Sequence, residues 1–328
     1  MIGWEIAVAR RAAPMFALAV LGAGCDVSSV VGVNQSSFGA LRCGESSPIE
    51  RCNDGACVIR DLEPAEVGST PIAVDDELVY YRRSADSIVK AKVTGGDVVD
   101  LASSGSGVSR MAVDATHLYW SEFGRRILRV PKAGGPSEVV ADIDGHPIVL
   151  ALDDTYVYAT LTDTNQMAMT PKEPGLSTFL PAQNAPSWVA TDATHVYWTN
   201  QGNGPNTGEL VRAPLGELAL VEVVASNLDS PLALALSAGH AYVIANTTLL
   251  RIDKTSGVAE AIGFELDEPK SVAVYSDSVY VTGISGLLRF RDGELATLDD
   301  RTTLGLAVAC SGVFATGWLV PAILRYAP

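Results

Sequence analysis

Chemistry on a polypeptide needs groups that can take a proton, hold a metal or attack a carbonyl, and this chain is poor in them. Its 328 residues include four histidines: His117, His146, His195 and His240. Three of these sit at the same place in similar phrases, DATHLYW, DATHVYW and SAGHAYV, which predicts exposed turn positions. His146 stands apart, and a lone histidine in a loop is more often held by a backbone partner than used as a base. No Ser/His/Asp set, HExxH helix or phosphate-cradling glycine loop is legible. The five cysteines, Cys25, Cys43, Cys52, Cys57 and Cys310, contain no CxxC pair, so a zinc site has no support. With Cys25 set aside, the even count favours two disulfides, with Cys43, Cys52, Cys57 and Cys310 as candidates. A local bridge within 43–57 is favoured, although four cysteines allow three pairings.

The elements that would position any site are easier to read. One phrase occurs seven times: IAVDDELVYYRR (72–83), MAVDATHLYWSE (111–122), LALDDTYVYATL (150–161), VATDATHVYWTN (189–200), LALSAGHAYVIA (234–245), VAVYSDSVYVTG (272–283) and LAVACSGVFATG (306–317). The second position is always Ala and the ninth is always aromatic. Start-to-start spacings are 39, 39, 39, 45, 38 and 34, so one supersecondary unit is used repeatedly. Each phrase reads as strand, short turn, strand. A third strand follows, built on a pattern such as ILRV (127–130) or LVRA (210–213), then a Gly-rich turn and, in most units, a fourth strand.

Four short strands per unit of about 40 residues predict an all-β, seven-bladed β-propeller. The seventh unit ends after its third strand. The segment ACVIRDLEP (56–64) offers the missing one, so the last blade is expected to be closed by an N-terminal strand at roughly 56–62, which removes an exposed edge. A direct Cys57–Cys310 bond is not expected, because the two would lie several strands apart within that blade.

The recurrent residues have structural readings. Ala fits the crowded inner strand, the aromatic fills the space between blades, and Asp75, Asp114, Asp153 and Asp192 suit a turn in which Asp bonds its own backbone. The third-strand bases Lys90, Arg129, Arg212, Arg251, Arg289 and Arg325 recur with the blade, which argues for packing or ion pairing; blade three has Ala168 instead.

At the N-terminus, Arg10 and Arg11 precede the apolar run 12–24, too short to span a bilayer but suited to a signal-peptide core. Gly22, Ala23 and Gly24 before Cys25 resemble a bacterial lipobox, with Gly22 where Leu is usual. The expected organisation is a signal peptide (1–24), a lipid-anchor tether with a Cys-containing segment (25–55) and the propeller (56–328). The net charge of −15 disfavours nucleic acid and anionic lipid as direct partners, leaving membrane contact to a lipid on Cys25.

Function is expected on the face that gathers the loops between strands two and three and between strand four and the next blade. The candidates there are Arg110, His146 and Lys270 at the channel mouth, Trp318, and Asn200, Asn203 and Asn206 in TNQGNGPNTGE (199–209). That loop stretches one spacing to 45, and departures from a rigid repeat are where function tends to sit.

The phrases at 111–122 and 189–200 resemble YWTD-type repeats of the low-density-lipoprotein-receptor class, and a bacterial family of propeller lipoproteins with a Cys-containing N-terminal segment. YWTD propellers have six blades, whereas seven copies are counted here. The resemblance implies a binding or scaffold role in the cell envelope and carries no ligand. The missing catalytic set and the mixed Arg, Lys and His rim lead to a non-catalytic module of the bacterial cell envelope, with a protein or a small polar or anionic ligand on its top face and no cofactor. Two alternatives stand beside it. One is a propeller enzyme of lactonase or lyase type holding Ca or Mg in the channel, for which Asp163, Asn165 and Asn203 are weak oxygen-ligand candidates. The other is a structural envelope protein without a small ligand.

Overall fold

The computed structural model describes residues 52–53, 56–58, 72–123, 125–263, 265–317 and 323–326; Cys25, Cys43, Trp318 and the tether lie outside them. The described chain is all strand and turn, arranged as seven antiparallel sheets. Six sheets have four strands in sequence order, as in blade four: Pro186–Thr191, His195–Asn200, Gly208–Pro214 and Glu222–Leu228. The first strands of successive blades touch in order, and that of blade seven returns to that of blade one, so the ring closes.

In the first four blades the first hairpin begins at an Asp side chain. In blade four, Asp192 Oδ1 accepts the N–H groups of Thr194 (2.8 Å) and His195 (2.9 Å), turning strand one into strand two. Asp75, Asp114 and Asp153 do the same in blades one to three. The second-position alanines are buried in all seven blades, where a larger side chain would push neighbouring blades apart. The ninth-position aromatics are buried in six blades and half-buried at Tyr242.

Blade seven is closed as the sequence predicts. Ala56–Val58 pairs with Ile323–Tyr326 in the register Ala56↔Tyr326, Cys57↔Arg325 and Val58↔Leu324. A further short strand, Cys52–Asn53, adds outside it, so this blade has five strands rather than four. That hairpin sets Cys52 directly opposite Cys57. Cys310, in the turn after the first strand of blade seven, is a free thiol.

Candidate functional site

The two faces of the ring use their polar residues differently. On the face holding the turns between strands one and two and between strands three and four, the recurrent charges join blades. Lys132 Nζ lies 2.7 Å from Asp75, Lys172 Nζ 2.7 Å from Asp114, and Lys254 Nζ 2.8 Å from Asp192, each pair bridging one blade to the next. The third-strand base makes a second link. Arg129 donates to the Lys172 carbonyl (2.7 Å), Arg212 to that of Lys254 (3.1 Å) and Lys90 to that of Lys132 (2.5 Å). Arg325 donates to the equivalent Val93 carbonyl (3.3 Å), so the seam between blades seven and one carries the same link as those between blades one and two, two and three, and four and five.

Blade three lacks the base, having Ala168. There Tyr158 donates to Asp153 Oδ2 (2.6 Å) and accepts the Gly216 N–H of blade four (2.8 Å). Arg251 instead pairs with Glu260 across its own blade (2.5 Å).

These links set the electrostatics. Burial alone would raise the Asp114 carboxyl, but Lys172 and the backbone N–H groups of Thr116 and His117 outweigh it and hold it below the usual carboxylate range. Asp192 is lowered in the same way by Lys254. A cleft of about 340 Å³ lies here between blades two and three, lined by Asp114, His117, Arg129 and Lys172. Its polar groups are already spent: His117 Nδ1 is 2.8 Å from Thr116 Oγ1, and Arg129 also pairs with Glu138 at 2.9 Å. The clustering of titratable groups there is explained by blade joining.

On the opposite face, most cations also have local carboxylate partners. Arg83 pairs with Asp100 (2.6 Å), Arg125 with Asp144 (2.6 Å), Arg126 with the buried Glu122 (2.6 Å), Lys270 with Glu268 (3.1 Å) and Arg301 with Asp299. His146 donates its backbone N–H to Asp163 Oδ1 (3.0 Å), with its ring Nδ1 2.9 Å from Oδ2. Asp163 is thereby held below the usual range against the raising effect of its own burial. His146 and Lys270 sit on different blades and share no bond with Arg110.

Arg110 differs. Its guanidinium donates to the Ser109 carbonyl (3.1 Å) and has no carboxylate within ion-pair distance among the described residues. Instead it lies over the Trp188 indole, 5.7 Å from the ring centroid. Arg110 comes from the first strand of blade two and Trp188 from that of blade four, so with blade three between them they can meet only across the central channel. Trp188 is 7% exposed, and its indole N–H has no acceptor among the described residues. The surrounding protein lowers the Arg110 pKa by desolvation, while part of the side chain still reaches channel solvent.

A repeated irregularity aims both residues. The pairing of strands one and two shifts register between Val108 and Arg110 and between Pro186 and Trp188, a bulge that re-aims the side chains beyond it. A second-strand hydroxyl fills the gap in each ladder: Ser121 Oγ accepts the Arg110 N–H (3.2 Å) and Thr199 Oγ1 the Trp188 N–H (3.2 Å). Thr316 does the same for Gly305 in blade seven (2.9 Å). The signal for this in the sequence is the eleventh position of the phrase, which is Ser or Thr in five of seven copies.

The long loop of blade four has a fixed base and an exposed tip. Gln201 and Gly202 donate to the Ala185 and Asn184 carbonyls (2.9 and 3.0 Å), and Thr207 Oγ1 donates to the Gly204 carbonyl (2.8 Å). Gly202 has φ +81°, and a Cβ there would lie 2.3 Å from Thr207 Oγ1, so the loop requires glycine at this point. Asn203 and Asn206 are exposed, whereas Asn200 is buried and donates to Gln183 Oε1 (3.3 Å). The oxygen candidates for a metal do not converge. Asp163 serves His146, Asn165 Oδ1 accepts the Ala185 N–H (3.1 Å) and Asn203 stands at the loop tip. Among the described residues no three His, Cys, Asp or Glu side chains come together as a metal site.

No protein-family model matches the chain, and no curated protein matches it. Solved structures do resemble it in shape. A chain of the mitotic checkpoint complex aligns with TM-score 0.66 and 10% identity over 86% of this chain and 98% of that one. A chain of the nidogen/laminin complex aligns with TM-score 0.56 and 15% identity over 70% and 97%. BamB from Moraxella catarrhalis aligns with TM-score 0.54 and 11% identity over 78% and 84%. At these identities the likeness establishes the β-propeller fold.

Proposed function

We propose that this protein is a non-catalytic binding module whose working face carries the channel mouth and the 199–209 loop. The observation behind the proposal is the asymmetry between the faces. Most recurrent charges on one join blades, while the other presents unrepeated residues, among them Arg110 without a carboxylate partner among the described residues. The similar folds include chains from a nidogen/laminin complex and a mitotic checkpoint complex, and protein binding is the role we assign to this one. Its acidic charge favours protein over nucleic acid as the partner.

The run 12–24 and Cys25 support export and lipid anchoring in a bacterial cell envelope, with the propeller held off the membrane by the tether. An oxidising compartment would join Cys52 and Cys57, since opposed residues in antiparallel strands lie about 4.5–5.5 Å apart, within the range a disulfide spans.

Replacing 202–207 by a two-residue turn like the Asn246-Thr247 turn of blade five tests the binding face. The expected result is a folded protein that no longer retains the envelope proteins co-purifying with the parent chain. An unchanged set of retained proteins counts against the proposal. Anchoring is read separately: Cys25→Ser should abolish incorporation of labelled fatty acid and release the protein in soluble form.

A further inference from the structure

At the level of Arg110 the channel is unevenly filled. The residue just before the repeated phrase is Arg110, Val149 and Trp188 in blades two to four, but Ala233, Ser271 and Gly305 in blades five to seven. At this position one half of the ring therefore carries a cation and an indole, and the other carries small side chains. Above this level Ile148 and Leu232, at the start of their blades' first strands, are 37% and 36% exposed. These two exposed apolar side chains stand beside the Arg110 guanidinium, a cation with no carboxylate within ion-pair distance among the described residues.

A guanidinium has five N–H donors, and one bond to Ser109 leaves the rest unmatched by described protein atoms. Its fork suits a carboxylate, which can take two parallel bonds. The chain's charge of −15 repels polyanions at long range, so a single negative charge on an apolar body is admitted most easily. Its apolar part would lie toward Trp188, which keeps 7% of its surface exposed.

We infer that the channel mouth binds a monocarboxylate with an apolar or aromatic body, its carboxylate on Arg110 and its body against Trp188. The inference rests on the reading of this face as the binding face. The carboxylate can come from a small organic acid or from the C-terminus of a partner chain ending in an apolar residue.

The test is calorimetric titration of the purified full chain with phenylacetate, with phenethylamine, benzyl alcohol and sulfate as controls. A short peptide ending in phenylalanine is titrated as the free acid and as the amide. Phenylacetate should bind saturably and the controls should not. Arg110→Gln should weaken binding about tenfold or more, as loss of a charge-assisted hydrogen bond does, with Arg110→Lys falling between. Trp188→Phe should cost a few-fold and Trp188→Ala more, and thermal unfolding of each variant reports whether it is folded. Tighter binding of the free-acid peptide than of phenylacetate assigns the site to a partner's chain end, and the reverse to a small acid. The inference is overturned if neither carboxylate binds, if a folded Arg110→Gln protein binds phenylacetate as well as the parent, or if sulfate binds equally well. The 202–207 replacement leaves Arg110 intact. Loss of co-purifying proteins there with no carboxylate binding would sink this inference alone, and the opposite pattern would sink protein binding through the loop.

Discussion

At the scale of single residues, the charges that look most like chemistry are the ones that hold blades together. Asp114 and Lys172 each have side chains 8% exposed, and Lys172→Met would leave the carboxylate without its cation. Breaking a buried pair costs about 3 kcal/mol or more, so chemical unfolding of Lys172→Met at neutral pH should show a loss of that order. The pH dependence has a defined sign. The folded Asp114 pKa is depressed, so the pair's contribution is complete above the unfolded value of about 3.9 and is lost as pH falls through the lower folded value. Acid should therefore destabilise the parent more than Lys172→Met, and equal acid sensitivity would count against this role. Burial, reinforced by Asp76, pushes the Cys310 thiol up to about 11. At pH 8 its alkylation by iodoacetamide should be roughly a hundredfold slower than that of an unperturbed thiol, and Asp76→Asn should speed it.

At the scale of elements, the blades are legible in the repeat itself. Seven Ala–aromatic phrases set the count, and the short last unit locates the closing strand, because a β-edge must be paired. The joints between blades are legible only in part. Asp192 and Arg212 recur visibly, but their shared partner Lys254 lies in the next repeat, and sequence spacing does not say which turns face each other. Trp188 escapes notice for a related reason: it stands one place before the repeated phrase, where the bulge turns it toward Arg110. The bulge is marked by the hydroxyls at Ser121 and Thr199, residues that otherwise pass for ordinary strand formers. Ser121→Ala removes the acceptor for the Arg110 N–H and should cost about 1 kcal/mol in chemical unfolding. Deleting residues 52–58 strips Ile323–Tyr326 of its outer neighbour and should lower the thermal midpoint and promote self-association, read by light scattering. An unchanged midpoint and a monomeric deletion variant would contradict ring closure by this strand.

At the scale of the whole molecule, the ring divides labour between its faces. One is locked by bonds that repeat from blade to blade, and the other is free to vary because those bonds already hold the scaffold. The 199–209 insertion, the exposed Ile148 and Leu232, and Arg110 over Trp188 all lie on the second face or in the channel beneath it. The most direct measurement is photo-crosslinking in the native host, with the reactive residue placed in turn at Asn203 in the long loop and at Thr255 in a turn of the opposite face. A binding role for the second face predicts a defined crosslinked species from position 203, lost when 202–207 is shortened with the reactive group moved to Gln201, and none from position 255. Crosslinks from position 255 alone, or the same species from both positions, would contradict that role.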